Sequence, residues 1–455
     1  MYTYILMIYM TIHLLNKTQL VTSFSKYPIS IRSSTNIFNR LFVTNSSSMA
    51  SSYTHYCFLV HGWLGNDSEM SSIETSLNKS IEQVRNQHTN TEFVIHKTLC
   101  NNHNTSDGII NGGNRLANEI KSIITTSNNS IQTISFVGNS LGGLYARYAI
   151  GILHSDSDLI CHFNVFCTTG RLISLIVNRK STFISIFFPI LLYFLFYFIV
   201  FFNHKATPHL GCSSHTYISI PRYTEKAISH ILQQTGRDLF HNDDDTQIVQ
   251  SLGFQAKYLT PLSKFHKRIA YANAYKTDFQ VPTETAAFLH PQSTSQHILQ
   301  TKTSYPSFIA ASLQTSKTNW SDQDWEQIES KSNDKYLDIS NILDGLGWKK
   351  VFIDVRTMIL FPKLSFSKSS KQRLETKKSS DDDNNTEPIY ESKDLISLYC
   401  PFQNDCIPIL PFGHTVMVAN AKNGFSQKLN QKGTVIMDHL ADEIVQEMLQ
   451  WEKSF

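Results

Sequence analysis

The chain has 455 residues, of which 41% are hydrophobic and 12% aromatic, so it is long enough to bury a large core. Its 40 Lys and Arg residues nearly balance its 37 Asp and Glu residues, which gives no reason to expect a nucleic-acid partner. The seven cysteines lack CxxC spacing, which argues against a zinc site and a disulfide scaffold and favours a reducing compartment.

The first 48 residues have the composition of an N-terminal leader. No Asp or Glu occurs before Asp67, and the apolar first fifteen residues lack the basic start of a secretory signal. Residues 23–48 are basic and rich in Ser, as organelle transit peptides are. Two interpretations stay open. Residues 1–48 are a transit-like leader, or Met49 is the true start; in both, the globular domain spans residues 49–455.

Predicted strands and helices alternate after Met49. Short apolar runs predict buried parallel strands, and the segments between them have apolar residues at helical spacing. This alternation predicts an α/β fold with a mostly parallel central sheet flanked by helices. The predicted strands are His55–Gly62, 91–99, Ile131–Gly138, 162–169, 268–274 and 349–355.

One late segment, Lys368–Lys393, differs from the rest of the domain. It is charged and polar, and its few apolar residues follow neither helical nor strand spacing. A segment that cannot bury apolar surface does not offset its ordering entropy, so we predict a disordered surface loop at residues 368–393.

The strongest chemical signal is SFVGNSLGG, in which Gly138–Gly142 fits G-x-S-x-G. It follows a predicted strand and precedes a predicted helix, which is the context that a nucleophile elbow requires. The turn raises the Ser140 hydroxyl at a helix N-terminus, where the Leu141 N–H can face a developing oxyanion. Ser140 is therefore the predicted nucleophile, and the alternative is a glycine-rich turn without a catalytic role.

A second signal is FLVHGWLGN, at the end of the first predicted strand. A His-Gly pair at this position often opens an oxyanion loop, and the backbone N–H of Trp63 would be the second donor. The pair precedes Ser140 by roughly 80 residues, a spacing that suits an α/β-hydrolase. The alternative is that this strand simply ends in a turn.

A serine nucleophile needs a base and an orienting acid, which follow it in the order Ser, Asp or Glu, His. Asp278 lies just past the predicted strand 268–274, where the acid is expected. Glu284 is a weaker candidate because it lies further from that strand.

The predicted base is His414, one of eighteen histidines. It follows the last predicted strand and begins an apolar, helix-like segment. His209 precedes the acid and breaks the expected order, so we assign it to a loop beside the site. His290 lies too close to Asp278 to come from the next loop. This chemistry requires no metal and no organic cofactor.

Several segments together resemble the DUF676 family of serine esterases, which are lipase-like α/β-hydrolases. The resemblance extends from about His55 to Ala286, with one interruption, and is thin afterwards. It implies the same triad of Ser140, Asp278 and His414, although Asn139 stands where the family usually has His. The segments that carry it are HYCFLVHGWLGN, TSDGIINGGNRLANEI, ISFVGNSLGGLYARYAIGIL, ATPHLGC and YANAYKTDFQVP.

The triad and the resemblance together imply a serine hydrolase that cleaves carboxylic esters through an acyl-enzyme. Some family members act on monoacylglycerols or phospholipids, so the expected partner is a lipid or small ester, at or near a membrane surface. The alternative is a non-catalytic hydrolase-fold protein that binds a lipid or protein partner, which would have a broken triad. The expected location is cytoplasmic or membrane-associated, or an organelle if residues 1–48 are a transit peptide.

The interruption contains Phe183–Phe202, an uncharged stretch of twenty residues that is long and apolar enough to cross a bilayer. The resemblance stops at Thr169 and resumes at Ala206. Residues 170–205 are rich in amino acids that A/T-rich codons specify, and GT…AG boundaries fit the flanking codons. We favour a retained intron, because a membrane crossing here would put the two halves of the sheet on opposite sides of a bilayer. The alternative is a transmembrane-like insert, and then the protein is single-pass.

Overall fold

The computed structural model describes part of the chain, and all of the described residues belong to one unit, Ala50–Phe455. The predicted leader, the insert 170–205 and most of the predicted loop 368–393 lie outside the description. The described residues are 52–124, 130–157, 159, 161–169, 207–213, 222–243, 246–275, 282–300, 306–356, 358, 387–400 and 431–454.

Strands and helices alternate through the described residues, with 3₁₀ turns at Asp67–Met70 and Gln431–Gly433. The strands are Ser52–Val60 (β1), Thr91–Lys97 (β2), Ser130–Asn139 (β3), His162–Thr169 (β4), Lys267–Asn273 (β5), Gln296–Leu299 (β6), Ile309–Thr315 (β7), Lys349–Ile353 (β8) and Ile389–Glu391 (β9). The helices are Ser71–Val84 (α1), Ile109–Ile123 (α2), Leu141–His154 (α3), Arg222–Ile231 (α4), Gln233–Leu239 (α5), Ile248–Phe254 (α6), Ala256–Ser263 (α7), Thr283–Ala286 (α8), Asp322–Lys331 (α9), Lys335–Gly345 (α10), Ser392–Tyr399 (α11) and Thr434–Ser454 (α12).

In the described part of the chain, nine strands form one sheet in the order β2-β1-β3-β4-β5-β8-β7-β6-β9. The six strands from β2 to β8 in this order run parallel. Strands β7, β6 and β9 then form an antiparallel edge. The predicted α/β fold with a mostly parallel sheet is confirmed. All six predicted strands are present, whereas β6, β7 and β9 were not predicted.

Helices cover both faces of the parallel strands, which explains why these strands are apolar almost without alternation. In β1, Phe58 packs in one core cluster with residues of α2 and α3. Its neighbour Leu59 belongs to a second cluster on the opposite face, with residues of α1 and α12. Successive side chains of a strand point to opposite faces, so a run such as CFLV has its side chains buried on both sides.

The topology brings two of the predicted site loops together. Strands β1 and β3 are neighbours, and Val60 pairs with Gly138 near their C-terminal ends. The chain leaves β1 towards β2 on one side and reaches β3 on the other, so the loops that follow β1 and β3 diverge. In open parallel sheets, ligands bind in the crevice at such a switch point, beyond the carboxyl ends of the strands.

The predicted disordered loop at 368–393 is wrong at its C-terminal end. Ile389–Glu391 forms strand β9, which pairs with β6, and Ser392 begins α11. Tyr390 is buried in a third core cluster together with Phe352, which offsets the ordering of this short segment. Only one buried residue marks the strand, so the charged composition around it hid the pattern.

Among the helices that the structure describes, none is both long and apolar enough to cross a membrane. The longest, α12, has 21 residues and carries acidic side chains at Asp438, Glu443 and Glu447. The apolar stretch Phe183–Phe202 lies outside the described residues.

Candidate active site

Ser140 forms the turn between β3 and α3, in the strand–turn–helix context that the sequence predicts. Its backbone has φ 58° and ψ −126°, a conformation that non-glycine residues rarely adopt and that costs on the order of 1–3 kcal/mol. Hydrogen bonds to its N–H and to its carbonyl hold it. The Ser140 N–H donates to the Thr169 carbonyl at 2.9 Å, and its own carbonyl accepts the Gly143 N–H at 3.0 Å and the Thr207 hydroxyl at 2.8 Å.

Two glycines of the G-x-S-x-G motif are required by close backbone packing. A Cβ at Gly138 would lie 2.5 Å from the Gly143 Cα, where α3 begins. A Cβ at Gly142 would overlap the carbonyl oxygen of Val60, at the end of β1. The motif therefore encodes the close contact of the elbow with β1 as well as the turn itself.

The oxyanion loop, which we define as Gly62–Gly65, packs against the elbow. The Gly65 N–H donates to the Gly62 carbonyl at 3.1 Å and closes a β-turn. Gly62 is so close to Ser140 that an added Cβ would lie 2.8 Å from the Ser140 Cβ. Trp63, the predicted donor, is the second residue of this turn. The structure thus brings Ser140, Leu141 and the segment bearing Trp63 together.

The two predicted oxyanion donors are available. Within the described residues, no acceptor contacts the backbone N–H of Trp63 or that of Leu141. Leu141 is the first residue of α3, so its N–H lies among those that a helix leaves unsatisfied and at the positive end of the helix dipole.

His61 helps to fix the oxyanion loop. Its ring is fully buried, and its Nδ1 lies 3.1 Å from the Gly62 carbonyl oxygen. A carbonyl oxygen can only accept, so the Nδ1 carries the proton and donates it. The Gly62 carbonyl shares a peptide unit with the Trp63 N–H, so this bond orients the predicted donor.

His209 lies in the loop 207–213 beside Ser140, as we expected, and cannot act as the base. Its Nδ1 lies 3.3 Å from an Arg147 nitrogen, and its Nε2 lies 3.2 Å from the Thr168 hydroxyl. Arg147 can only donate, so the Nδ1 accepts and the Nε2 donates. Burial, reinforced by the Arg147 charge, lowers the pKa of His209 well below 6.5 and keeps the ring neutral.

Arg147 supports the loop that carries His209, and the sequence motifs did not indicate it. It lies in α3, is fully buried, and also donates to the Leu252 carbonyl. Burial lowers its pKa to about 9. A single charge within the apolar run LGGLYARYAIGIL was the available signal, because a buried guanidinium needs acceptors around it.

Asn139, where the resemblance departs from the family, lies directly before Ser140 and is fully buried. Neither its amide oxygen nor its amide nitrogen has a hydrogen-bond partner among the described residues. It is the last residue of β3 and pairs with Thr169 of β4, so it packs beneath the turn that carries Ser140.

The predicted acid and base, Asp278 and His414, lie outside the described residues, so their roles stay predictions. The ends of the segment that contains Asp278 are held together, because the Thr283 hydroxyl donates to the Asn273 carbonyl at 2.6 Å. This hydrogen bond lies at the C-terminal end of β5, at the same sheet edge as Ser140. The weaker candidate Glu284 is described and lies in the short helix α8.

The described residues offer no evident metal site, since no group of three or more His, Cys, Asp or Glu side chains is placed to hold an ion. The six cysteines that the structure describes form no disulfide bonds.

No curated protein sequence matches the chain significantly. The sequence profile of a family described as Putative serine esterase (DUF676) matches residues 50–293. That span is more than half of the chain and includes β1 to β5, the elbow and the oxyanion loop. It also includes Asp278, whereas His414 lies beyond it. The chain therefore belongs to the DUF676 family of serine esterases, as the resemblance in its sequence predicts.

Proposed function

We propose that the protein is a serine hydrolase that cleaves carboxylic esters of lipids, such as monoacylglycerols or phospholipids, through an acyl-enzyme. One observation carries this proposal. Ser140 occupies a strained turn at the start of α3, beside two backbone N–H groups that lack acceptors among the described residues. Strain and unsatisfied donors cost free energy, and catalysis is the usual reason for retaining both at one place. Membership of a serine esterase family supports the same reaction class.

In the proposed reaction, the Ser140 Oγ attacks the ester carbonyl while His414 takes the hydroxyl proton. The N–H groups of Trp63 and Leu141 stabilise the oxyanion of the tetrahedral intermediate. His414 then gives its proton to the leaving alcohol, and water releases the acyl group from Ser140 by the same steps. Asp278 orients the imidazole.

An apolar side chain beside the site favours a lipid substrate over a polar ester. Leu64 follows Trp63 in the oxyanion loop, and its side chain is 45% exposed. An exposed leucine in the loop that packs against the elbow is suited to an acyl chain or to the surface of a bilayer. We therefore propose that the protein acts at a membrane surface.

Fluorophosphonate labelling followed by peptide mass spectrometry tests the proposal. We expect the wild-type protein to be labelled at Ser140, and Ser140→Ala to lose both the label and at least about 10⁴-fold in kcat/KM on an ester panel. Ser122→Ala is a matched control, because Ser122 lies on α2 and, among the described residues, its hydroxyl bonds only to the local Glu119 carbonyl. A folded wild-type protein that takes no label would favour the non-catalytic alternative, a hydrolase fold that binds a lipid or protein partner.

A further inference from the structure

We propose that Thr105 is a positioning residue of the oxyanion loop, whose hydroxyl holds the Gly62–Gly65 turn in the conformation that offers the Trp63 N–H to the substrate. The inference rests on the proposed function. Its structural basis is one hydrogen bond between distant parts of the chain: the Leu64 N–H donates to the Thr105 Oγ1 at 2.7 Å.

The turn needs this bond because Leu64 is strained. Leu64 is the third residue of the turn and has φ 49°, in the left-handed region. Turns with a positive φ at this position prefer Gly or Asn there, and a side chain with a Cβ costs roughly 1–2 kcal/mol. A flip of the Trp63–Leu64 peptide would relieve the strain, but it would turn the Leu64 N–H away from Thr105. The Thr105 hydroxyl therefore opposes this peptide flip, which the strain at Leu64 favours.

Thr105 is itself firmly held. It is almost fully buried, and its carbonyl accepts two hydroxyl groups, from Thr235 of α5 at 2.7 Å and from Tyr145 of α3 at 3.3 Å. The Thr235 N–H also donates to the Ser106 carbonyl at 3.2 Å. Thr105 therefore ties the oxyanion loop to the helix that begins at the elbow and to one of the helices between β4 and β5.

The loop that carries Thr105 is fastened along its length by α2. Arg115 pairs with Asp107 on one side of Thr105 and donates to the Asn101 side chain at 2.8 Å on the other. Glu119 accepts the N–H groups of Leu99 and Cys100, each at 2.9 Å. A rigid anchor is what a positioning residue requires, because small displacements of a catalytic group are costly.

The test compares Thr105→Val, which removes only the hydroxyl, with Thr105→Ser, which retains it. We expect Thr105→Val to lower kcat about 10- to 100-fold with little change in KM, and Thr105→Ser to stay near wild type. Thr315→Val is a matched control. Thr315 is buried, and its hydroxyl also accepts a backbone N–H at 2.7 Å, from Trp348, but it lies in β7 and also donates to the Asp344 carbonyl at 2.7 Å. Thr315→Val should therefore lose at least as much stability as Thr105→Val, without the loss of kcat.

Amide hydrogen exchange at Leu64 gives a second readout that does not depend on activity. We expect the Leu64 N–H to be protected in the wild type and in Thr105→Ser, and to exchange faster in Thr105→Val. Thr105→Ala serves if the valine does not fold. Unchanged exchange at Leu64, or a wild-type kcat without the hydroxyl, overturns the inference. A wild-type protein that is not labelled at Ser140 overturns the proposed function instead, and the exchange experiment still decides the structural part.

Discussion

The parallel part of the sheet and its antiparallel edge use polar residues in different ways. Around Ser140, polar side chains of the segments after β2 and β4 bind the backbone of the loops after β1 and β3, and the donors of these loops stay available. Where the edge joins β8, the charges are buried with one another. Lys350 and Asp344 form an ion pair with almost no exposed surface, and His297 lies 3.0 Å from the Lys350 nitrogen. On the proposed function, polar groups of the first region serve chemistry, whereas those of the second serve the fold.

Removing one charge from the edge should give the largest loss of stability. In Asp344→Asn, Lys350 keeps its buried position, over the ring of Phe288 at 4.0 Å, without a carboxylate. Burial already lowers the pKa of Lys350, and Asp344 partly offsets this effect. We expect the free energy of unfolding to fall by about 3–5 kcal/mol, measured by urea denaturation.

The double variant Asp344→Leu with Lys350→Met separates charge from packing. It removes both ions, so we expect it to be more stable than Asp344→Asn. The folded fraction of every edge variant should be labelled at Ser140 at the wild-type rate. A slower rate in the folded fraction would show that the edge also serves catalysis, and the division between the two regions would fail.

The parallel strands could be predicted from the sequence, whereas the strands of the antiparallel edge could not. Strand β4 was predicted with its observed ends, His162 and Thr169, because a strand buried on both faces forms a largely apolar run. Strand β6 has only the four residues QHIL and is defined by pairing with β7 and β9, which no local pattern reveals. The edge strands are defined by their pairing with other strands and not by a local pattern. The sequence therefore did not predict them.

Within the site, local motifs located the parts but not their supports. The G-x-S-x-G motif identified Ser140 because strand, turn and helix are adjacent in sequence. Thr105 and Thr207 were missed as supports, since their partners Leu64 and Ser140 lie 41 and 67 residues away. Hydrogen bonds of this kind depend on the folded topology and not on residue spacing.

A smaller, pH-dependent effect is expected in the parallel part, at Glu119. Burial alone would raise its pKa, but hydrogen bonds from His96, Cys100 and the Leu99 N–H outweigh this and hold the pKa at about 2. The ordinary value is 4.5, so the ionised carboxylate stabilises the fold above pH 4.5, and this contribution is lost as the pH falls towards 2. Glu119→Gln should therefore lower Tm at pH 7 by about 2–4 °C, as loss of about 1 kcal/mol would.

The difference in Tm between wild type and Glu119→Gln should shrink between pH 4.5 and pH 2. Glu82→Gln is the control, because Glu82 forms an exposed pair with Arg85, just past the end of α1, and makes no other ion pair within the described part of the chain, so it should show no such dependence. A pH-independent difference for Glu119→Gln would mean that packing, not charge, fastens the loop that carries Thr105. The charge of Glu119 would then not contribute to holding the loops of the parallel region.

The smallest effect is expected from the largest change, deletion of Gly170–Lys205. Thr169 and Thr207, on either side of the deleted segment, both bond to Ser140, one to its N–H and the other to its carbonyl. Joining Thr169 to Ala206 leaves two peptide units between Thr169 and Thr207, which span up to about 7 Å, and we expect both bonds to persist across this link.

We therefore propose that the deleted protein folds and is labelled at Ser140 at the wild-type rate. The measurement is fluorophosphonate labelling of both forms at equal folded concentration, with deletion of the described residues Thr207–Ser213 as the control that should abolish labelling. If the shortened protein were insoluble or were labelled more slowly, residues 170–205 would belong to the parallel region after all. We expect the wild-type rate because Thr169 and Thr207, which hold the turn through the Ser140 N–H and the Ser140 carbonyl, are both retained in the shortened protein.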